Sequence, residues 1–425
     1  MEILLLFIIM FGLMAFSVPI GFSIVIAASA CFALFTEVPI SVIAQTAVTG
    51  LDSFPMLACP FFILAGALMS RGGLAKRLID MIQSFVGHLT GGLAISSVVT
   101  CMFFGAISGS ATATVSSIGG FMIPEMKQRG YETGFCASLV SCAGSLGLFI
   151  PPSLSLVFYA VVTGSSIADL FIATVVPGII VTVVLCLVAW FLSRKYGYPK
   201  EKKSTWRERG RAVWDAKWAI VCPVIILGGI YSGLFTPTEA AVVAVVYSII
   251  IGVFVYKELD LKAIWETLIE SMSMNGLVMF LLAFATGFAR YVTLEQVPTK
   301  LVSFISGITD SPILILLMIN VLVLLVGCVM DNVPSIMILS PILLPLALQA
   351  GLTPVQFGVV MSINTTIGLV TPPYGADLFV GATIAKCKVE DTFRTLLPFV
   401  IGLIFCLFLV TYIPDLSTFV LEFMK

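Results

Sequence analysis

Two stretches place paired prolines inside runs apolar enough to lie in a membrane: GLFIPPSLSLVFY from Gly147 and GLVTPPYGADLFV from Gly368. Proline removes a backbone donor and clashes with the preceding helical turn. In lipid, the freed carbonyls are costly unless protein or water satisfies them. A helix broken at mid-membrane exposes carbonyls at the end of one half, which suit Na+. It exposes N–H groups at the start of the other, which suit an anion. Pro151–Pro152 free carbonyls in GSLGLFI, with Gly144, Ser145 and Gly147. Pro372–Pro373 do the same in NTTIGLVT, with Thr365, Thr366 and Gly368. A kinked helix satisfied by its own Ser and Thr hydroxyls is the simpler alternative. Recurrence of the break at equivalent places, each after a polar hairpin, argues against it.

Those hairpins are the second chemical element. FFGAISGSATATVSSIGG contains Gly105, Ser108, Gly109, Ser110, Thr112 and Thr114. Small residues let a turn pack tightly at depth, and hydroxyls add oxygen ligands. The alternative is a plain helix–helix contact of small residues. GCVMDNVPSI supplies Gly327, Asp331, Asn332 and Ser335. A carboxylate between apolar runs is expensive and usually functional; the alternative for Asp331 is a cap on the half-helix beginning near Pro334. One Na+ is expected between Ser108, Ser110 and the Gly144–Gly147 loop with Ser145. A second is expected among Gly327, Asp331, Asn332, Thr365, Thr366 and Gly368. The substrate anion is expected where the tips meet, near Ser110, Thr112, Asn332 and Ser335, beside Pro152 and Pro373. Asp377, just after the second break, is divided evenly between a structural and a functional reading.

The elements that position these residues are membrane helices. The 425-residue chain is 59% hydrophobic and 11% charged, against roughly 25% charged in soluble proteins. Mean hydropathy is +1.13, and apolar runs of spanning length recur, so the chain is read as a polytopic α-helical membrane protein. The ten cysteines form no C-x-x-C pair, and there is one histidine, His88. No metal cluster, disulfide or nucleic-acid partner is expected. The apolar N-terminus, which lacks a positive n-region, reads as a retained helix.

Sliding the chain against itself by 221 residues superimposes the breaks. Pro124 meets Pro345, Gln128 meets Gln349, Gly130 meets Gly351, Ser141 meets Ser362 and Gly147 meets Gly368. Hydropathy stays in step, which marks an internal repeat. The segment 194–217 holds nine of the 22 Lys and Arg residues, so it is read as a cytoplasmic linker. The first repeat then covers 1–193: scaffold helices 1–35, an arm 37–50, a re-entrant hairpin 93–124 and a broken helix 133–163. The second covers 218–425: scaffold helices 217–256, an interfacial arm 258–271, a hairpin 301–350 and a broken helix 354–385. This threading leaves Arg290, Lys300 and Lys425 as the three basic residues outside. Both termini are placed outside.

Three function classes compete. An ion-coupled secondary transporter fits the inverted repeat, hairpins and broken helices. An intramembrane serine hydrolase lacks a His or Lys base near Ser108. A channel would need both hairpins to line one pore. No G-x-x-x-x-G-K-[ST] loop is present, so the chain does not itself hydrolyse ATP.

FFGAISGSATATVSSIGGFMIPEM, GSLGLFIPPSLSLVFYAVVTGSSIADLFIA, SGLFTPTEAAVVA, DNVPSIMILSPILLPLA and GLVTPPYGADLFV together resemble the large membrane subunit of tripartite ATP-independent periplasmic (TRAP) transporters, over essentially the whole chain. The resemblance implies no enzyme activity and no cofactor beyond Na+ as coupling ion. It implies uptake of a small organic carboxylate, such as a C4-dicarboxylate, sialic acid or a sugar acid. It also implies a periplasmic solute-binding protein that delivers the substrate, a small four-helix membrane subunit as partner, and a place in the bacterial inner membrane. Family members with both membrane subunits fused begin with extra helices, whereas this chain is read as starting at the large subunit's first helix. The family resembles elevator-type symporters. For this chain that means a block, 53–152 with 271–373, sliding against helices 1–35 and 217–256. A stand-alone dicarboxylate/sodium symporter or a channel-like permease is the alternative.

Overall fold

The computed structural model describes residues 2–200 and 202–424; Lys425, placed outside by the threading, lies beyond them. The first half runs α1 (Glu2–Ala15), α2 (Ile20–Phe35), α3 (Ser41–Leu51), α4 (Ala58–Arg71), α5 (Leu74–Val86), α6 (Gly92–Ser108), α7 (Ala111–Gln128), α8 (Thr133–Gly144), α9 (Leu154–Thr163) and α10 (Ile167–Tyr196). The second runs α11 (Trp206–Tyr231), α12 (Pro237–Ile250), α13 (Leu261–Leu294), α14 (Val297–Ser306), α15 (Pro312–Gly327), α16 (Asn332–Gln349), α17 (Pro354–Gly368), α18 (Ala376–Ala385), α19 (Phe393–Tyr412) and α20 (Asp415–Met424). Among the described residues, seven helical segments are long and apolar enough to span a bilayer. The chain is an all-α polytopic membrane protein.

The repeat is visible in the elements themselves. α7 and α16 begin and end 221 residues apart, and so do the first residues of α8 and α17. α6–α7 and α15–α16 are the two re-entrant hairpins. α8–α9 and α17–α18 are the two broken helices, each interrupted at its double proline. Before the first break the backbone tightens into a 3-10 turn, Ser145–Leu148, and restarts at Leu154. The Pro151–Pro152 and Pro372–Pro373 peptide bonds are both cis.

Local sequence explains the ends of several elements. Thr236 and Glu239 form a capping box at α12, with Pro237 opening the helix. Thr205 with Glu208 caps α11 and Thr353 with Gln356 caps α17 in the same way. Each box satisfies two backbone donors that a helix start would otherwise leave unpaired. The first hairpin turns at Gly109, whose φ of 61° is left-handed; a Cβ there would sit 2.9 Å from the Pro152 carbonyl oxygen. Glycine is the residue that meets both demands.

The two arms differ. α3 is a separate short helix, ended by the Asp52–Pro55 segment. The arm expected over 258–271 is instead continuous with the span that follows, as the 34 residues of α13. At 1.5 Å per residue that is about 51 Å, well beyond the roughly 30 Å of bilayer hydrocarbon. The cause lies in the sequence. No proline occurs in α13, whereas Pro55 interrupts the first copy at the corresponding junction.

The halves interlock through their hairpins. α7 packs on α18, and α16 packs on α9, so each hairpin lies against the post-break half-helix of the other repeat. α4 packs along α12 and also reaches α6, while α5 packs on α11.

Candidate substrate and ion site

The first tip is built around Gly147. A Cβ added to Gly147 would lie 2.5 Å from the Ser110 carbonyl oxygen and 2.6 Å from Thr114 Oγ1. One added to Gly105 would lie 2.8 Å from Gly147 Cα. Small residues thus let the broken helix and the hairpin meet backbone to backbone. Ser108 Oγ is 2.9 Å from Thr114 Oγ1, and Thr114 Oγ1 donates to the Ser110 carbonyl at 2.7 Å. Ser110 caps α7, accepting from Ala113 N–H. The Leu154 N–H, from beyond the proline break, donates to the Gly109 carbonyl at 3.3 Å. Ser108, Ser110 and Gly147 are therefore together. Gly144 is packed against Val115, and the Ser145 hydroxyl turns back to the Cys142 carbonyl at 2.8 Å.

The second tip repeats the plan with different chemistry. A Cβ on Gly368 would lie 2.5 Å from the Gly327 carbonyl oxygen. Asp331 is the N-cap of α16 and accepts from Asn332 N–H at 2.7 Å, so the capping alternative describes its side chain here. The buried Asn332 amide donates to Thr365 Oγ1 at 2.7 Å and accepts from Ser155 Oγ at 2.7 Å. Ser155 belongs to the other repeat, and Asn332 thereby ties both broken helices to one tip. Ser335 is fully buried and donates to the Asp331 carbonyl at 2.7 Å. The Tyr374 N–H, following Pro373, donates to the Cys328 carbonyl at 3.0 Å, the counterpart of the Leu154 bond. Thr366 stands apart from this group. With Ser145, its equivalent in the repeat, it lines a small void between the 3-10 turn after α8 and helices α10, α17 and α19.

A cavity of about 360 Å³ opens beside the first tip, lined by Ser108, Ser110, Thr112, Ser116, Arg71 and Glu270 among others. Thr112 and Ser116 are exposed, one helical turn apart on α7. Of the residues expected at the substrate, Ser110 and Thr112 line this cavity, whereas Asn332 and Ser335 do not. Pro152 is buried beneath the first tip and Pro373 is exposed.

Three further residues are placed at or beside the tips. Arg71, the last residue of α4, lines the cavity. Ser155, one hydroxyl in an apolar half-helix, joins the two repeats through Asn332. Asp377 is fully buried; Thr112 Oγ1 donates to its Oδ1 at 3.1 Å and Ser141 Oγ to its main-chain oxygen at 2.9 Å. Thr112–Asp377 and Ser155–Asn332 each tie one tip to the post-break half-helix of the opposite repeat, one residue out of the 221-residue register.

Comparison with known proteins agrees with this architecture. The profile of the family described as "Tripartite ATP-independent periplasmic transporter, DctM component" matches residues 7–416. The isethionate TRAP transporter permease protein DctMQ of Oleidesulfovibrio alaskensis is 43% identical over 95% of this chain, which spans 64% of that relative's length. The C4-dicarboxylate TRAP transporter large permease protein DctM of Pseudomonas aeruginosa is 42% identical over 86% of each chain. The 2,3-diketo-L-gulonate TRAP transporter large permease protein YiaN of Escherichia coli is 37% identical over 95% of each. In fold, the YdaH transporter of Alcanivorax borkumensis superposes with a TM-score of 0.66 over 89% of both chains at 15% identity. These relatives are transport permeases, not enzymes. The chain belongs to the DctM family and is the large permease subunit of a TRAP transporter.

Proposed function

We propose that this subunit imports a small organic anion, delivered by a separate periplasmic binding protein, by coupling its passage to Na+ across the bacterial inner membrane. The observation that carries the reading is the cavity at the first tip: it presents Ser108, Ser110 and Thr112 beside a break whose backbone is packed on the same turn. In an otherwise apolar chain, converging hydroxyls and half-helix ends are the materials from which transporters build anion and cation sites. Ser108, Ser110 and the Gly147 segment would hold one Na+, with Asp331, Asn332, Thr365 and Gly368 around a second. Two cations per anion also suit a negative-inside membrane, where each charge is worth about 2.3 kcal/mol per 100 mV. The basic linker 194–217 supports a cytoplasmic position for that segment, and the threading would then put both termini in the periplasm. The interlocked hairpins and half-helices would slide as one block against the scaffold, and a small four-helix subunit would complete the membrane complex. The names of the relatives point to C4-dicarboxylates, sugar acids, sialic acid or isethionate as substrates.

The test is reconstitution of the chain with its small subunit in proteoliposomes, supplied with binding protein and labelled succinate, N-acetylneuraminate, 2,3-diketo-L-gulonate or isethionate. The expected result is saturable, counterflow-competent uptake that requires both binding protein and a Na+ gradient. Non-saturating flux would indicate a channel. Uptake independent of the binding protein would indicate a stand-alone symporter.

A further inference from the structure

An anion carrier needs a group that recognises negative charge, and within the apolar spans neither tip carries a lysine or arginine. The cavity supplies one from elsewhere. Arg71, the last residue of α4, lines it together with Ser110 and Thr112. Its Nη2 is 2.8 Å from Glu270 Oε2, and its Nη1 is 3.5 Å from Glu266 Oε2, both on α13. Arg71 and Glu270 are the two charged residues in the cavity lining.

The geometry ties Arg71 to the tip. Gly66 packs on Ser108, where an added Cβ would meet Ser108 Cα at 2.7 Å. Arg71 follows Gly66 by five residues, which places it about 7.5 Å further along the helix axis. Ser70 Oγ, next to it, is 2.6 Å from Ser117 Oγ on α7, so α4 and the hairpin run side by side over this distance. The lining between tip and guanidinium includes the hydroxyls of Ser116 and Ser117.

The pairing is of a kind that an incoming anion can replace. The side chains of Arg71, Glu266 and Glu270 are 39%, 53% and 71% exposed, and exposed ion pairs are held weakly. A guanidinium has five donors in a planar fork, of which the two glutamates engage two. The fork matches a carboxylate or sulfonate bidentately. Lys262, on the next turn, approaches Glu266 at 4.0 Å and can hold that glutamate when Arg71 leaves it.

We propose that Arg71 receives the organic anion as it leaves the first tip toward the cytoplasm, and that Glu270 and Glu266 act as its resident surrogates, displaced by the anion and displacing it in turn. This rests on the transport function and orientation proposed above. Because the glutamates compete with cargo, removing Arg71 and removing Glu270 act in opposite directions on the cytoplasmic side. A purely structural ion pair would respond to both losses in the same direction.

The experiment compares wild type, Arg71→Gln, Arg71→Lys and Glu270→Gln in proteoliposomes with the small subunit. Binding-protein-driven import is measured alongside exchange from the cytoplasmic face, using whichever of labelled succinate, N-acetylneuraminate, 2,3-diketo-L-gulonate or isethionate the wild type carries. Arg71→Gln should raise the cytoplasmic-side KM for exchange by about tenfold, the scale of one lost charge-assisted pair, while Arg71→Lys recovers part of it. Glu270→Gln should lower that KM by about threefold and slow release, since the competitor is gone. Equal impairment in Arg71→Gln and Glu270→Gln, or an unchanged cytoplasmic KM in both, overturns the inference and leaves the transport function standing. Absence of transport by the wild type with all four probes overturns that function and this inference with it.

Discussion

Asn332 shows how little side-chain freedom the second tip has: its amide is engaged by hydroxyls from both repeats. Asp331 beside it is different, because its carboxylate bonds only to the backbone of the next residue among the described contacts. Asp331→Ala is therefore expected to leave α16 in place while raising the Na+ concentration needed for half-maximal uptake several-fold; a wild-type Na+ dependence in a correctly assembled variant would remove this carboxylate from the cation site. Much at this scale could be read from the sequence. Ser108, Ser110, Thr112 and Asp331 stand out as polar groups in apolar surroundings, which is a signal that needs no structure. Arg71 gives no such signal, since a basic residue at the end of a span reads as a topological flank. Its place in the cavity depends on the side-by-side course of α4 and α7. Ser145 and Thr366 mark the opposite limit. Both fall in freed-carbonyl segments, yet their hydroxyls face away from the tips because a helix turns 100° between neighbouring residues.

At the scale of elements, the hairpins and broken helices meet closely at glycines. Gly147→Ala would press a methyl into the Ser110 carbonyl and Thr114 hydroxyl. Overpacking of this kind costs about 1–3 kcal/mol, and the midpoint of thermal unfolding in detergent should fall together with uptake. Gly120→Ala, in the same hairpin, meets nothing within 4 Å and should leave the midpoint unchanged or raise it, since alanine is favoured over glycine in a helix by about 1 kcal/mol. If both substitutions behaved alike, backbone contact at the tip would not be what holds the break. The double prolines announced these breaks because a missing donor acts locally. The second arm misled for a related reason: its amphipathic pattern does identify a helix, but periodicity does not say where that helix stops. With no proline in the sequence, it runs on as α13.

Across the whole molecule, the offset of 221 residues was legible because duplication keeps helix breakers and hydrophobic blocks in register even after side-chain identity has faded. The inverted repeat makes a direct prediction. Single cysteines at Gln128 and Gln349, the last residues of α7 and α16, should react with impermeant maleimide from opposite faces of the membrane in a cysteine-free background. Reaction of both from one face would contradict the inversion. The packing of α7 on α18 and of α16 on α9 was not legible, since nothing in a sequence says which copy a hairpin will choose as neighbour. The second helix of each hairpin rests on a post-break half-helix from the other half, so a single copy of the repeat would leave both of those faces uncovered. A lone copy could cover them only by pairing with a second, oppositely inserted copy, the arrangement of a dual-topology homodimer. Residues 1–193 and 218–425 produced as two polypeptides should therefore be degraded when made singly and accumulate as a carrier only when made together.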